Sequence, residues 1–195
     1  MGEIKSALEI ALERTRDVQS DPQALRRHEA RTEGKKMLAA LREDREFDLH
    51  KALKAVPRER RTWVREGLYE AARGNLSLPQ SELDLDRLDE LGVVFLELAR
   101  DRGGVKQLMT QLREFFSQYL SNRQQLIEEL RRRYEPRLKQ RQQQLSQQYG
   151  REVRIDPASD PEFSQVLQEN LGQLQGQFRT ALEEVDNHLR NLMDL

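Results

Sequence analysis

Apolar residues recur every three or four positions along almost the whole chain, the spacing of helices that each bury one face. In "GEIKSALEIALERTRDV" Ile4, Leu8, Ala11 and Thr15 share a stripe with Leu12 beside it, and charges fill the remaining surface. "SDP" at 20–22 offers Ser20 or Asp21 as an N-cap and Pro22 as the first helical residue, so a second helix is expected to about Arg45. A short third element over residues 48–56 is interrupted by Pro57, which suits the first turn of the next helix. There Trp63, Val64, Leu68 and Ala71 form the apolar side, and Gly74 and Asn75 are expected to stop the helix because both tolerate a left-handed cap. A further helix, capped by Ser81, carries Leu85, Leu88, Leu91, Phe95 and Leu98 and is expected to end at Gly103 and Gly104.

The pattern lengthens from Val105 onward. Val105, Met109, Leu112, Phe116, Tyr119, Leu126 and Leu130 alternate by fours and threes, a heptad seam with Arg123 as its polar intruder. The marks continue at Tyr134, Leu138 and Leu145, at steps nearer those of a straight helix. Pro136 removes one backbone hydrogen bond there, and it is expected to bend the helix without ending it, since the stripe resumes in phase. Gly150 is read as the cap, and Asp160 followed by Pro161 restarts a helix. That last helix places Leu167, Leu171, Leu174, Phe178, Ala181, Val185, His188 and Leu192 in strict four-three alternation.

Lengths turn these two seams into an architecture. A helix over 105–149 is about 68 Å long and one over 161–194 about 51 Å, at 1.5 Å per residue. Joined by a loop at 150–160, they are expected to fold back on one another. The shorter arm is then expected to reach only to about residue 115 of the longer one. The expected fold is all-α: an N-terminal cluster of short helices over 1–102, then a long antiparallel coiled-coil helical hairpin over 103–195. Its seam is assigned to Leu112, Phe116, Tyr119, Leu126 and Leu130 on one arm, and to Leu171, Leu174, Phe178, Val185 and Leu192 on the other. Two helices alone bury only one narrow stripe each, so a homodimer with a four-helix stem is expected.

Composition agrees with long, half-exposed helices. Charged residues make up 34% and hydrophobic ones 36%, with a net charge of only −1. Such balance argues against disorder and against a nucleic-acid binder acting through its whole surface. The chain has no cysteine, which excludes disulfides and thiolate chemistry. No run of apolar residues approaches membrane-spanning length, and the first residues lack a secretory pattern, so a cytoplasmic setting without integral membrane association is expected.

Candidate chemistry is sparse. "RRRYEPRLKQRQQQLSQQYG" places Arg131, Arg132, Arg133, Arg137, Lys139 and Arg141 in eleven residues, a basic surface able to track phosphates. The six point all round the helix without an aromatic platform, so partner salt bridges are the plainer expectation. "DLDRLDE" has acids at short spacing but lacks the glycine turn and distant glutamate of a calcium loop. His28, His50 and His188 stand far apart, and no nucleophile-elbow or phosphate-loop pattern occurs. No catalytic residue, metal ligand or cofactor is therefore assigned.

"MGEIKSALEIALERT", "YEPRLKQRQQQLSQQYG" and "DPEF" together resemble a group of bacterial all-helical proteins with no assigned activity. The resemblance runs through most of the chain and implies a bacterial cytoplasmic setting. The expected function is that of a non-catalytic coiled-coil interaction protein: a scaffold, adaptor or stalk, homodimeric and serving an unknown protein partner. The alternative is a nucleic-acid or anionic-surface binder using residues 131–141. A stator or stalk component of a rotary ATPase or export apparatus is a further variant, by analogy of fold.

Overall fold

The structure is a computed structural model that describes residues 22–44, 46–193 and 195, with Ala158 by its backbone alone. The amphipathic stripe at residues 4–15 and the Ser20 or Asp21 cap lie outside the described residues. Among those residues there are six α-helices and no strand: α1 (Pro22–Glu43), α2 (Leu49–Ala55), α3 (Arg58–Gly74), α4 (Leu83–Leu98), α5 (Arg102–Tyr149) and α6 (Pro161–Leu192). A 3₁₀ turn, Pro157–Ser159, precedes α6. Two compact units are separated within α3, one up to Ala71 and the other from Ala72 to Asp194.

In the first unit α1, despite its weak apolar pattern, is held by a very close crossing with α3. A Cβ on Gly34 would overlap the Val64 carbonyl oxygen, and one on Gly67 would overlap that of Arg31. Both glycines are needed because the two backbones touch where a side chain would stand. Polar side chains flank the crossing. Glu66 accepts from Arg31 Nη2 at 2.7 Å and from Arg27 Nη2 at 3.2 Å, and Arg60 reaches Glu33 at 3.1 Å. Burial pushes the Glu66 carboxyl up, but the Arg31 and Arg27 hydrogen bonds and charges together outweigh it and hold its pKa below the ordinary value. The short α2 begins at Asp48, whose carboxylate accepts from Lys51 N at 2.8 Å.

Three boundaries differ from expectation. Gly74 ends α3 without a left-handed residue, because among described residues only Gly150 has positive φ. The chain leaves instead through tight turns, Asn75 N to Ala72 O and Leu76 N to Arg73 O. Ser81 does not cap α4; the Asp84 carboxylate reaches back to Gln80 N at 2.8 Å and Ser81 N at 3.1 Å. These two backbone donors, Gln80 first, hold its pKa below the usual range. Gly103 and Gly104 do not end α4, which stops at Leu98; they lie in the first turn of α5, where Asp101 is the N-cap and accepts from Gly104 N at 3.0 Å.

In the second unit α4 and α6 both pack on α5. α5 continues through Pro136, with Tyr134 and Leu138 buried on either side of it. α6 meets α5 in reverse order. Tyr134 lies against Phe163 with ring centroids 5.6 Å apart, Tyr119 against Phe178 at 5.1 Å, and Gly104 beside Leu192. Past α6, Ala99 bridges Met193, and Arg100 N donates to Leu192 O at 2.9 Å. α6 therefore reaches the very start of α5, not merely residue 115. The spare length of α5 lies at its other end, beyond Arg141. There residues 150–160 run back beside α5, where Val153 N donates to Ser146 Oγ at 2.9 Å and Ile155 packs on the Leu130, Tyr134, Leu138 and Phe163 cluster. Val153 and Ile155 are half-buried on this return path, so covering them is what makes the connection long.

Candidate interaction surface

The surface singled out by the sequence lies on α5 and α6, and local signals place much of it. Gly150 ends α5 in the left-handed conformation with φ 64°. Asp160 starts α6: its carboxylate accepts from Phe163 N at 3.1 Å, and Pro161 occupies the first turn. The same carboxylate, only 6% exposed, accepts from Arg141 Nη1 at 2.7 Å. A buried acid is tolerated there because one face is satisfied by a helix N-terminus and the other by a guanidinium.

The six basic residues are mostly spoken for. Arg133 pairs with Glu129 at 3.2 Å, Lys139 with Glu135 at 2.6 Å, Arg137 with Glu162 at 2.8 Å, and Arg141 with Asp160. Arg137 also lies 5.4 Å from the centre of the Tyr134 ring. Lys139 holds the Glu135 carboxyl below its ordinary pKa. Arg131 and Arg132 are exposed and enter no ion pair among the described residues. The pairs with Glu162 and Asp160 join α5 to the start of α6, so part of the basic stretch ties the two helices together.

Seam residues divide by depth. Leu112, Phe116, Tyr119 and Leu130 are buried on α5, and Leu126 is half-buried. On α6 the picture differs: Leu171, Leu174, Phe178, Val185 and Leu192 are all only half-buried, and Phe163 and Leu189 alone are buried within the helix. Phe178 makes ring contacts to α5, with Tyr119 and, at 4.8 Å, with Phe115. His188 is exposed and not part of the seam. Leu189 takes the place at 0% exposure, preceded by half-buried Leu182, because a straight helix of 3.6 residues per turn drifts off a strict heptad over this length.

Two clefts within the second unit carry residues that sequence reasoning missed. One, of about 440 Å³, lies between residues 76–80 and α6, lined by Leu76, Leu182, Gln175, Arg179, Glu183 and the Arg73–Asp186 pair. Arg73 Nε donates to both Asp186 oxygens at 2.6 and 2.7 Å. These partners stand more than a hundred residues apart, and no local pattern links them. The other cleft lies between the start of α4 and α5, around Leu85, Leu120 and Arg123. Further along, Arg113 grips Asp89 at 2.6 Å, which raises the arginine's pKa. Among the described residues no group of three or more His, Asp or Glu side chains is placed to hold a metal ion, and no helix is long and apolar enough to cross a membrane.

One protein-family model matches residues 50–191, from α2 almost to the end of α6. The chain belongs to the family of unknown function DUF6657. No curated protein and no solved structure matches it. The DUF6657 match spans both compact units and includes the two clefts, the basic stretch and every assigned seam residue except Leu192. It begins after α1, so Gly34 and its side of the α1–α3 crossing fall outside the DUF6657 match while Gly67 falls inside.

Proposed function

We propose that this chain is a non-catalytic interaction protein in which α5 and α6 form an antiparallel coiled-coil hairpin, homodimeric and acting as a scaffold, adaptor or stalk. The observation that carries this reading is the half-covered seam of α6. A 32-residue helix buries only Phe163 and Leu189 fully, while Leu167, Leu171, Leu174, Phe178, Leu182 and Val185 keep part of their surface in water. Closing that surface against another helix recovers roughly 25 cal/mol for each Å² removed from water. Beyond the start of α4, the distal parts of α5 and α6 pack chiefly on one another, which is a thin core for helices of this length. Sedimentation equilibrium tests the reading: a mass near twice 23.0 kDa at micromolar concentration supports it, and a monomer at every concentration defeats it.

A second reading, binding to nucleic acid or another anionic surface, draws its support from Arg131 and Arg132, which are exposed and make no ion pair among the described residues. With the other four ion-paired, only these two charges make no ion pair among the described residues, few for a phosphate-tracking surface. Affinity for a polyanion that falls steeply with salt and disappears in Arg131→Glu/Arg132→Glu would favour this reading. Salt-independent or absent binding would remove it.

A further inference from the structure

Arg123 breaks the apolar seam of α5, standing between buried Tyr119 and half-buried Leu126 where the pattern calls for an apolar side chain. Partial burial of a guanidinium costs free energy that a carboxylate partner normally offsets. Elsewhere in the second unit Arg73, Arg113 and Arg141 each reach a carboxylate of another element. Arg123 is half-buried as well, yet it makes no ion pair and no side-chain hydrogen bond among the described residues. Its charge is unmatched within the fold.

Arg123 lines the cleft between the start of α4 and α5, which encloses about 470 Å³, room enough for a small organic molecule. The cleft exists because α4 runs out. Gly92 lies beside Met109 and Asp89 holds Arg113, so the two helices are antiparallel, and α4, which begins at Leu83, gives no cover to α5 much past Tyr119. Half-buried Leu85 and Leu120 supply apolar surface there, and Leu120, three residues before Arg123, shares its side of α5. Ser121 and Gln125 add a neutral polar rim and bond to one another at 3.4 Å. Glu82 is the other charged residue of the lining; it is exposed and makes no ion pair among the described residues. Every hydrogen bond of the lining residues stays within the second unit, which therefore builds the cleft by itself.

We propose that this cleft binds a small amphipathic monocarboxylate, its carboxylate held by Arg123 and its apolar body resting on Leu85 and Leu120. The unmatched guanidinium selects an anion, and its planar fork suits a carboxylate. Glu82 limits the charge. With one cation and one carboxylate in the lining, a second negative charge on the ligand finds no partner and is repelled. The leucines favour a ligand with a short hydrocarbon body over a bare ion. The proposal is independent of the homodimeric reading.

Hexanoate is a suitable probe, titrated into the full chain while heteronuclear NMR follows the Arg123 side-chain N–H and the Leu85 and Leu120 methyl groups. A saturable shift of all three is expected, with a Kd on the order of 1–10 mM, ordinary for so small a ligand. Hexanol, which lacks the charge, and adipate, which carries two, should each bind about tenfold more weakly at matched ionic strength. Arg123→Gln should weaken hexanoate about tenfold, read from the methyl signals, and Arg123→Lys should weaken it less. Glu82→Gln should narrow the gap between adipate and hexanoate. Circular dichroism verifies that each variant folds. No saturable shift up to about 100 mM hexanoate, or equal affinity in the wild type and Arg123→Gln, overturns the proposal. Sedimentation behaviour bears on neither result, so the site and the dimer stand or fall separately.

Discussion

At the scale of single residues, glycine separates two kinds of position in the same chain. Gly67 sits where a Cβ would overlap the Arg31 carbonyl oxygen, whereas a Cβ on Gly172 meets nothing within 4 Å. Gly67→Ala should therefore push α1 and α3 apart and cost about 1–3 kcal/mol or more, as overpacking does. Gly172→Ala should stabilise α6 by about 0.5–1 kcal/mol through helix propensity alone. Urea denaturation of the two variants checks both signs. Glu66 supplies the pH-dependent counterpart. Its folded-state pKa lies below the ordinary 4.5, so the folded protein holds its proton more weakly than the unfolded chain. The resulting stabilisation is complete above the unfolded value and is lost as pH falls through the lower folded one. Glu66→Gln should flatten the stability profile below about pH 5 while lowering stability at neutral pH, as thermal melts from mildly acidic to neutral solution will show.

At the scale of elements, local chemistry decides where helices begin and end, and long-range contact decides how much a cap is worth. Asp160 serves α6 twice, as N-cap to Phe163 N and as buried partner of Arg141. Asp160→Asn keeps a capping oxygen but loses the charge, while Asp160→Ala loses both. The expected order of stability is wild type, then Asn, then Ala, with the alanine variant about 1–2 kcal/mol below wild type. Equal losses for the two variants would mean that the Arg141 pair matters and the cap does not. The same Asp–Pro signal was readable in the sequence, as was the glycine stop of α5. Ser81 shows the limit of such reading: the N-cap position falls to Glu82, which makes no side-chain cap bond, and the Asp84 carboxylate inside the first turn accepts from Gln80 N and Ser81 N just before the helix. Several polar residues within one turn could serve as the cap, and only the folded geometry decides which bonds form.

At the scale of the whole molecule, the most informative quantity is how apolar surface is shared between helices. α5 buries Leu112, Phe116 and Tyr119 where both α4 and α6 pack on it. α6 leaves its corresponding stripe half-covered, and the proposed second subunit rests on that asymmetry. The distal cluster of Leu130, Tyr134, Leu138 and Phe163 is small, with Leu126, Ile155, Val166 and Leu167 packed around it. Much of the candidate surface was legible beforehand, because the basic stretch from Arg131 to Arg141 and the two seams are local patterns. The clefts were not, since Arg73 and Asp186 meet only once the chain has folded.

What the sequence alone determined is the helical content, the faces that turn inward, the stop at Gly150 and the start at Asp160, all consequences of periodicity and backbone preference acting over a few residues. Tertiary structure decided the rest. It selected Leu189 over His188 for the seam, set α6 level with the very beginning of α5, and brought Gly34 and Gly67 to a crossing where two backbones touch. The reason is physical: propensity acts within a turn or two of helix, whereas register and crossing depend on which side chains, from distant parts of the chain, can occupy the same space.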